Sequence, residues 1–272
     1  MIRKLTYFIV ILIVVCACQK QKEVPSIVTD DVVVLVNQTV PSAVLKQNMK
    51  YNIILPTTYD AEPQKNYPVL YLLHGMGDDN NAWVDKGNAH TYVQQAINSK
   101  TIPEIIVVMP DAMVTFYVND YQSGLQYETY FEEEFLPYIE SHYRINATKG
   151  NRFIAGLSMG GFGASYHAFK YPQKFAYCYS MSGVLEGVGS QTPSISTLIA
   201  ACNGNYSGLP DYTIDCGTND ALVYTSNVNT HNALNQLNFT HEYIARAGSH
   251  DWSFWQQSLQ TALERIGKYY DN

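Results

Sequence analysis

A chain of 272 residues that is 46% hydrophobic and 15% charged has the make-up of a folded domain with a sizeable core, not of a disordered segment. Its formal net charge of −7 excludes nucleic acid as a partner, because no basic surface is left to neutralise a run of phosphates. Internal repeats, low-complexity tracts and blocks of like charge are all absent.

At the N-terminus, Arg3 and Lys4 precede an apolar run from Leu5 to Val15. That run is too short to span a bilayer comfortably and reads as a bacterial export signal. It ends Val15-Cys16-Ala17-Cys18, which has the form of a lipobox: aliphatic at −3, small at −1, cysteine at +1. Cys18 is the expected acylation site, whereas Cys16 would have the bulky Val15 before it. The sequence therefore predicts a lipoprotein signal over 1–17, a polar tether over 18–30 and a folded domain over 31–272. An acyl anchor at Cys18 would hold the protein to a membrane, periplasmic or at the cell surface, without a spanning helix. The remaining cysteines, Cys178, Cys202 and Cys216, have no zinc or CxxC spacing, and neither metal nor cofactor is expected. An odd number leaves at least one free thiol, an oxidising compartment would allow one bridge between any two of the three, and Cys178 and Cys216 read as buried and unpaired.

The first β-rich runs are Val32–Val36, Val40–Leu45 and Tyr51–Leu55. Val69 to Leu73 is a continuous apolar run closed by His74-Gly75, the mark of a central strand buried on both faces. A helix is predicted over 82–99, a strand over 104–109 and a long amphipathic helix over 127–143. The strand before Gly156 follows, and then strands over 176–181, 212–216 and 241–244. Helices over 228–237 and 252–269 surround these last strands. Alternation of this kind implies βαβ units, a mostly parallel sheet with helices on both faces, and an active site at the carboxyl ends of the strands.

Gly156-Leu157-Ser158-Met159-Gly160 stands at such an end. An apolar strand, a G-x-S-x-G turn and a small-residue helix start form a nucleophile elbow, which lifts a serine hydroxyl clear of the sheet. Such a hydroxyl needs a base, and the base needs an orienting carboxylate, in the chain order Ser, acid, His. Among the histidines after Ser158, His250 lies in a strand-end loop, whereas His231 falls within a predicted helix and His241 begins a strand. His167, on the helix after the elbow, reads as a packing residue, and His74 as a residue that shapes its own loop. For the acid, Asp215 is still inside a strand, and Asp220 lies in the loop beyond it, better placed to reach an imidazole. Asp251, next to His250, is expected to face the start of the last helix. Two N–H donors for a developing oxyanion are expected from Met159 and from the loop after His74-Gly75, at Met76.

With these motifs placed, the chain resembles the esterase D-like group of α/β-hydrolases. That group includes feruloyl, acetylxylan and tributyrin esterases, S-formylglutathione hydrolases, enterochelin-type esterases and mycolyltransferases. The resemblance rests on Tyr71 through Asp79 with Trp83, Ile106 through Pro110, Glu128 through Tyr143, Gly156 through Gly161, Asp215 through Asp220 and Gly248 through Trp252. One departure is Asn219, where relatives often carry Glu. The resemblance implies an α/β-hydrolase fold, Ser158 as nucleophile, Asp220 as acid, His250 as base, and the Met76 and Met159 amides as the oxyanion hole. The expected activity is that of a serine carboxylesterase acting on a small-molecule or carbohydrate ester, with feruloyl or acetyl esters foremost. Siderophore-ester hydrolysis and acyl transfer to a sugar are the alternatives on the same residues, and a non-catalytic binding protein is the third. The aromatic residues Trp83, Tyr117 and Tyr121 are candidate substrate contacts. An export signal counts against the cytosolic S-formylglutathione branch.

Overall fold

The computed structural model describes residues 26–28, 32–119, 124–189 and 192–269. The predicted signal, Cys18 and Tyr121 lie outside them. Among the described residues, nine strands form a single sheet in the order β1-β2-β3-β5-β4-β6-β7-β8-β9. Three antiparallel strands, β1 (Ser26–Val28), β2 (Val33–Ser42) and β3 (Gln47–Leu55), form one edge. β3 joins β5 (Ile106–Pro110) antiparallel, and from β5 onward every pairing is parallel. The parallel strands are β5, β4 (Val69–Leu73), β6 (Arg152–Leu157), β7 (Tyr177–Met181), β8 (Asp211–Gly217) and β9 (Glu242–Arg246).

Both faces of the central parallel strands are covered, and β4 and β5 are accordingly apolar and buried along their whole length. In β4, Val69, Tyr71 and Leu73 enter one core and Leu70 and Leu72 the other, as the two-residue period of a strand requires. The second core is closed by α1 (Ala82–Asp85), α2 (Ala89–Asn98) and α8 (Trp252–Gly267). The first is closed by α3 (Tyr127–Tyr130), α4 (Leu136–His142), α5 (Met159–Lys170), α6 (Ile195–Ala200) and α7 (Tyr224–Gln236).

Three expectations are revised by tertiary contacts. The predicted helix over 82–99 splits at Gly87, where a Cβ would lie 2.5 Å from the Trp83 ring, and the next residue, Asn88, has φ +49°. The helix over 127–143 is interrupted by a π-helical turn at Phe131–Phe135, just before Pro137, whose missing N–H cannot continue a regular ladder. Residues 26–28 of the predicted tether are instead the edge strand β1, paired with Val33–Leu35.

All three cysteines of the folded part are free. Burial pushes the Cys178 thiol far up, and burial together with the nearby Asp220 charge pushes Cys216 up to about 12. Only Cys202 is partly exposed. Iodoacetamide on the folded protein is therefore expected to modify Cys202 and spare Cys178 and Cys216 until denaturant is added. Peptide mapping checks this, and native labelling of Cys178 would contradict the packing described.

Candidate active site

Ser158 joins β6 to α5 at φ +51°, ψ −113°, a conformation that costs a non-glycine residue about 1–3 kcal/mol. The surrounding backbone leaves no alternative. Ser158 N–H donates to Met181 at 2.8 Å, and the Ser158 carbonyl accepts from Phe162 at 3.1 Å. The flanking glycines permit the approach. A Cβ on Gly156 would stand 2.4 Å from the Gly160 carbonyl oxygen, and one on Gly160 would stand 2.5 Å from that of Leu73. These contacts are backbone against backbone, so no side-chain movement could relieve them.

The β9–α8 loop brings His250 to the serine. Its Nε2 lies 3.0 Å from Ser158 Oγ, and its Nδ1 lies 2.7 Å from Asp220 Oδ2. Asp220 is fully buried, and its other oxygen accepts the backbone N–H groups of Leu222 and Val223 at 3.1 and 3.2 Å. A buried carboxylate satisfied in this way is held as an acceptor toward the imidazole. The loops carrying Asp220 and His250 lie directly together: a Cβ on Gly217 would meet the Gly248 carbonyl oxygen at 2.3 Å. Trp255 packs edge-on to the His250 ring at 4.9 Å, and Asp251 caps α8 by accepting the Phe254 N–H at 3.0 Å.

Asp215 is turned away from this chain of groups. Neighbouring residues of a strand face opposite sides, and Asp215 takes the side covered by α8, where its partner Arg246 also bonds Phe254 and Ser258. Asp215 Oδ2 accepts from Tyr179 Oη at 2.8 Å and from Arg246 Nη2 at 3.0 Å, wholly buried among the groups beneath α8.

The loop after β4 runs beside the serine. A Cβ on Gly75 would lie 3.6 Å from Ser158 Cβ. His74 is buried, with Nε2 accepting the Ala112 N–H at 2.9 Å. Its Nδ1 therefore carries the proton and donates to the Gly75 carbonyl at 2.8 Å. In a trans peptide the carbonyl and the following N–H point opposite ways, so the His74 ring sets the direction of the Met76 N–H.

Two predicted substrate contacts are corrected. Trp83 is 1% exposed, and its indole N–H donates to the Leu73 carbonyl at 3.0 Å. It supports β4 from below, edge-on to Trp252 at 5.2 Å. Tyr117 is fully buried, and its hydroxyl donates to the His74 carbonyl at 3.1 Å. The sequence pattern placed both near the site, but their polar atoms are used within the fold and present nothing to a ligand.

Two features escaped sequence reasoning. Met76, Val114 and Leu222 are strongly exposed apolar side chains on the loops after β4, β5 and β8 respectively. All three loops leave the carboxyl edge where Ser158 sits, and exposure of this kind has no signature in a linear pattern. The second feature is His167, predicted as simple packing. It is buried with Nδ1 2.6 Å from Glu132 Oε1 and Nε2 2.8 Å from the Tyr117 carbonyl. Burial pushes the Glu132 carboxyl up, but the bonds and charges of His167 and Lys174 outweigh it and hold the group below the usual range. His231 Nδ1 and His241 Nε2 lie 2.8 Å apart.

The chain is similar to known esterases over most of this architecture. A ferulic acid esterase of known structure superimposes with a TM-score of 0.80 at 29% identity, covering 88% of this chain and 98% of its own. An acetyl esterase of Caldicellulosiruptor saccharolyticus is 25% identical over 265 residues, 85% of this chain and 97% of the relative. An endo-1,4-beta-xylanase/feruloyl esterase of Xylanibacter ruminicola is 27% identical over 228 residues, 80% of this chain. The chain spans only 29% of the length of that relative and of other long curated relatives it matches. The esterase family model, described as "Putative esterase", matches residues 42–266, and the chain belongs to that family.

Proposed function

We propose that this protein is a serine carboxylesterase that cleaves acyl esters of carbohydrates or small molecules through an acyl-enzyme. The observation that carries this reading is the continuous chain from Ser158 Oγ through His250 to buried Asp220, at 3.0 and 2.7 Å. Asp220 holds the Nδ1–H tautomer, which leaves Nε2 free to take the serine proton as Oγ attacks the ester carbonyl. The tetrahedral oxyanion is received by the Met76 and Met159 amides, one beside the serine and one at the start of α5. The alcohol leaves with the proton from His250, and water, activated by the same nitrogen, releases the acyl group.

Feruloyl esters are the first-choice substrate and acetyl esters the second. Two of the similar proteins bear those activities in their names. The exposed Met76, Val114 and Leu222 on the surrounding loops favour an acyl group with apolar surface over a small polar one. No feature of the site favours siderophore-ester hydrolysis or transfer to a sugar. We also propose acylation at Cys18 and export to a membrane face, a reading supported by the Leu5–Val15 run and the lipobox pattern. Among the described residues no helix is long and apolar enough to cross a membrane.

The test compares p-nitrophenyl acetate, methyl ferulate and acetylated xylan, with products analysed in the presence and absence of a sugar acceptor. Hydrolysis is expected with all acceptors omitted, fastest per unit concentration on the ferulate. Wild-type protein inert toward every ester in the panel would overturn the reading.

A further inference from the structure

Residues 111–119, which follow β5, carry strained backbone. Met113, Phe116 and Tyr117 all have positive φ, at +51°, +53° and +62°, and two of these are consecutive, bulky aromatics. Tyr117 is clamped at both ends. Its ring lies on α5 where Gly163 leaves room, since a Cβ there would meet Tyr117 Cδ2 at 2.4 Å. Its hydroxyl donates to the His74 carbonyl at 3.1 Å, and its own carbonyl accepts from His167 Nε2 at 2.8 Å.

A carbonyl oxygen can only accept, so His167 Nε2 carries a proton. The other nitrogen faces Glu132, which also receives Lys174 Nζ. Glu132 stands in the π-helical turn Phe131–Phe135, the kind of distorted turn that recurs at functional sites. A buried acid and a buried histidine are costly unless fully paired. Here the pairing ends on one backbone atom of the strained loop.

We propose that His167 is a positioning residue for the oxyanion loop, acting through Tyr117 on His74-Gly75-Met76. The path is a continuous set of bonds. Lys174 and His167 hold Glu132, His167 holds the Tyr117 carbonyl, and the Tyr117 hydroxyl holds the His74 carbonyl. His74 then fixes Gly75 and with it the direction of the Met76 N–H. The inference rests on the esterase reading, because only a reaction with an oxyanion gives that amide a task.

Two isosteric changes separate positioning from bulk stability. In His167→Gln the amide nitrogen falls near Nε2 and can keep the bond to Tyr117; in His167→Asn it falls near Nδ1, keeps Glu132 and abandons Tyr117. With p-nitrophenyl acetate, H167N is expected to lower kcat by about ten- to a hundredfold with KM nearly unchanged, since small misplacement of an oxyanion donor has effects of this order. H167Q should stay within about threefold of wild type on the same grounds. Tyr117→Phe, which removes only the hydroxyl, should lose kcat as H167N does, and the double variant should lose no more than the larger single one. Equal kcat in H167N and H167Q, undiminished kcat in Y117F, or losses that multiply in the double variant would each overturn the proposal. If H167N does not fold, H167Q and Y117F decide: a loss in H167Q matching that in Y117F overturns it. Wild-type turnover is measured alongside; its absence defeats the esterase reading, whereas turnover insensitive to these changes defeats only the role of His167.

Discussion

Replacing Ser158 with alanine is expected to lower kcat on any ester substrate by on the order of 10⁴ or more, with the thermal midpoint nearly unmoved. The Ser158 hydroxyl has one side-chain partner, His250 Nε2 at 3.0 Å, and the imidazole keeps its bond to Asp220 when that partner is gone. No buried polar atom is orphaned, because the His250 side chain retains 18% exposure. Alanine at φ +51° carries the same backbone strain as serine, so the elbow is unchanged. What disappears is the oxygen proposed to form the acyl-enzyme. Residual rate comes from the oxyanion donors and from substrate binding alone. Labelling by a fluorophosphonate should vanish with the hydroxyl, and a variant that turned over near the parental rate would remove Ser158 from the mechanism.

The pair Asp220→Asn and Asp215→Asn is expected to separate activity from stability. In D220N the side-chain oxygen can still accept the Leu222 and Val223 N–H groups at the geometry Oδ1 now uses. The amide nitrogen then faces His250 Nδ1 and donates to it. That forces the proton onto Nε2, where the imidazole can no longer accept from serine, and kcat should fall by on the order of 10³ to 10⁴ with the fold intact. In D215N the change strikes the bonds to Tyr179 and Arg246. Losing the charge leaves a guanidinium without its carboxylate in a mostly buried place, and the variant should lose about 3 kcal/mol of stability. Its kcat per folded molecule should remain close to wild type. Chemical denaturation and active-site titration by a fluorophosphonate together distinguish the two effects, and a D215N protein that was stable but inactive would exchange the roles assigned to the two carboxylates.

Much of this site was legible because local rules and global architecture agree. The apolar run of β4, the G-x-S-x-G turn and the strand-end position of His250 each point to one edge of a parallel sheet. The lipobox at Cys18 is a linear signal and stays one, outside the described residues. The aromatic candidates misled for a definite reason. Tyr117 and Trp83 are near the site in sequence, yet burial turned their polar atoms onto the His74 and Leu73 carbonyls. A substrate contact needs exposed surface, and a linear pattern of aromatics does not distinguish a face that looks outward from one that looks into a core.

Order along the chain was thus enough to determine the α/β class and to single out Ser158 and His250, which the fold brings to 3.0 Å, because strand and helix periodicity and the steric demands of Gly156 and Gly160 are local properties. Which aspartate meets His250 was a tertiary decision. The alternation of β8 sends Asp215 toward Arg246, and the loop beyond it carries Asp220 to 2.7 Å from His250. So too were the burial of Tyr117 and the linkage of Glu132 to the Tyr117 carbonyl through His167. These depend on residues tens of positions apart meeting in a space from which water is excluded, and only packing brings them there.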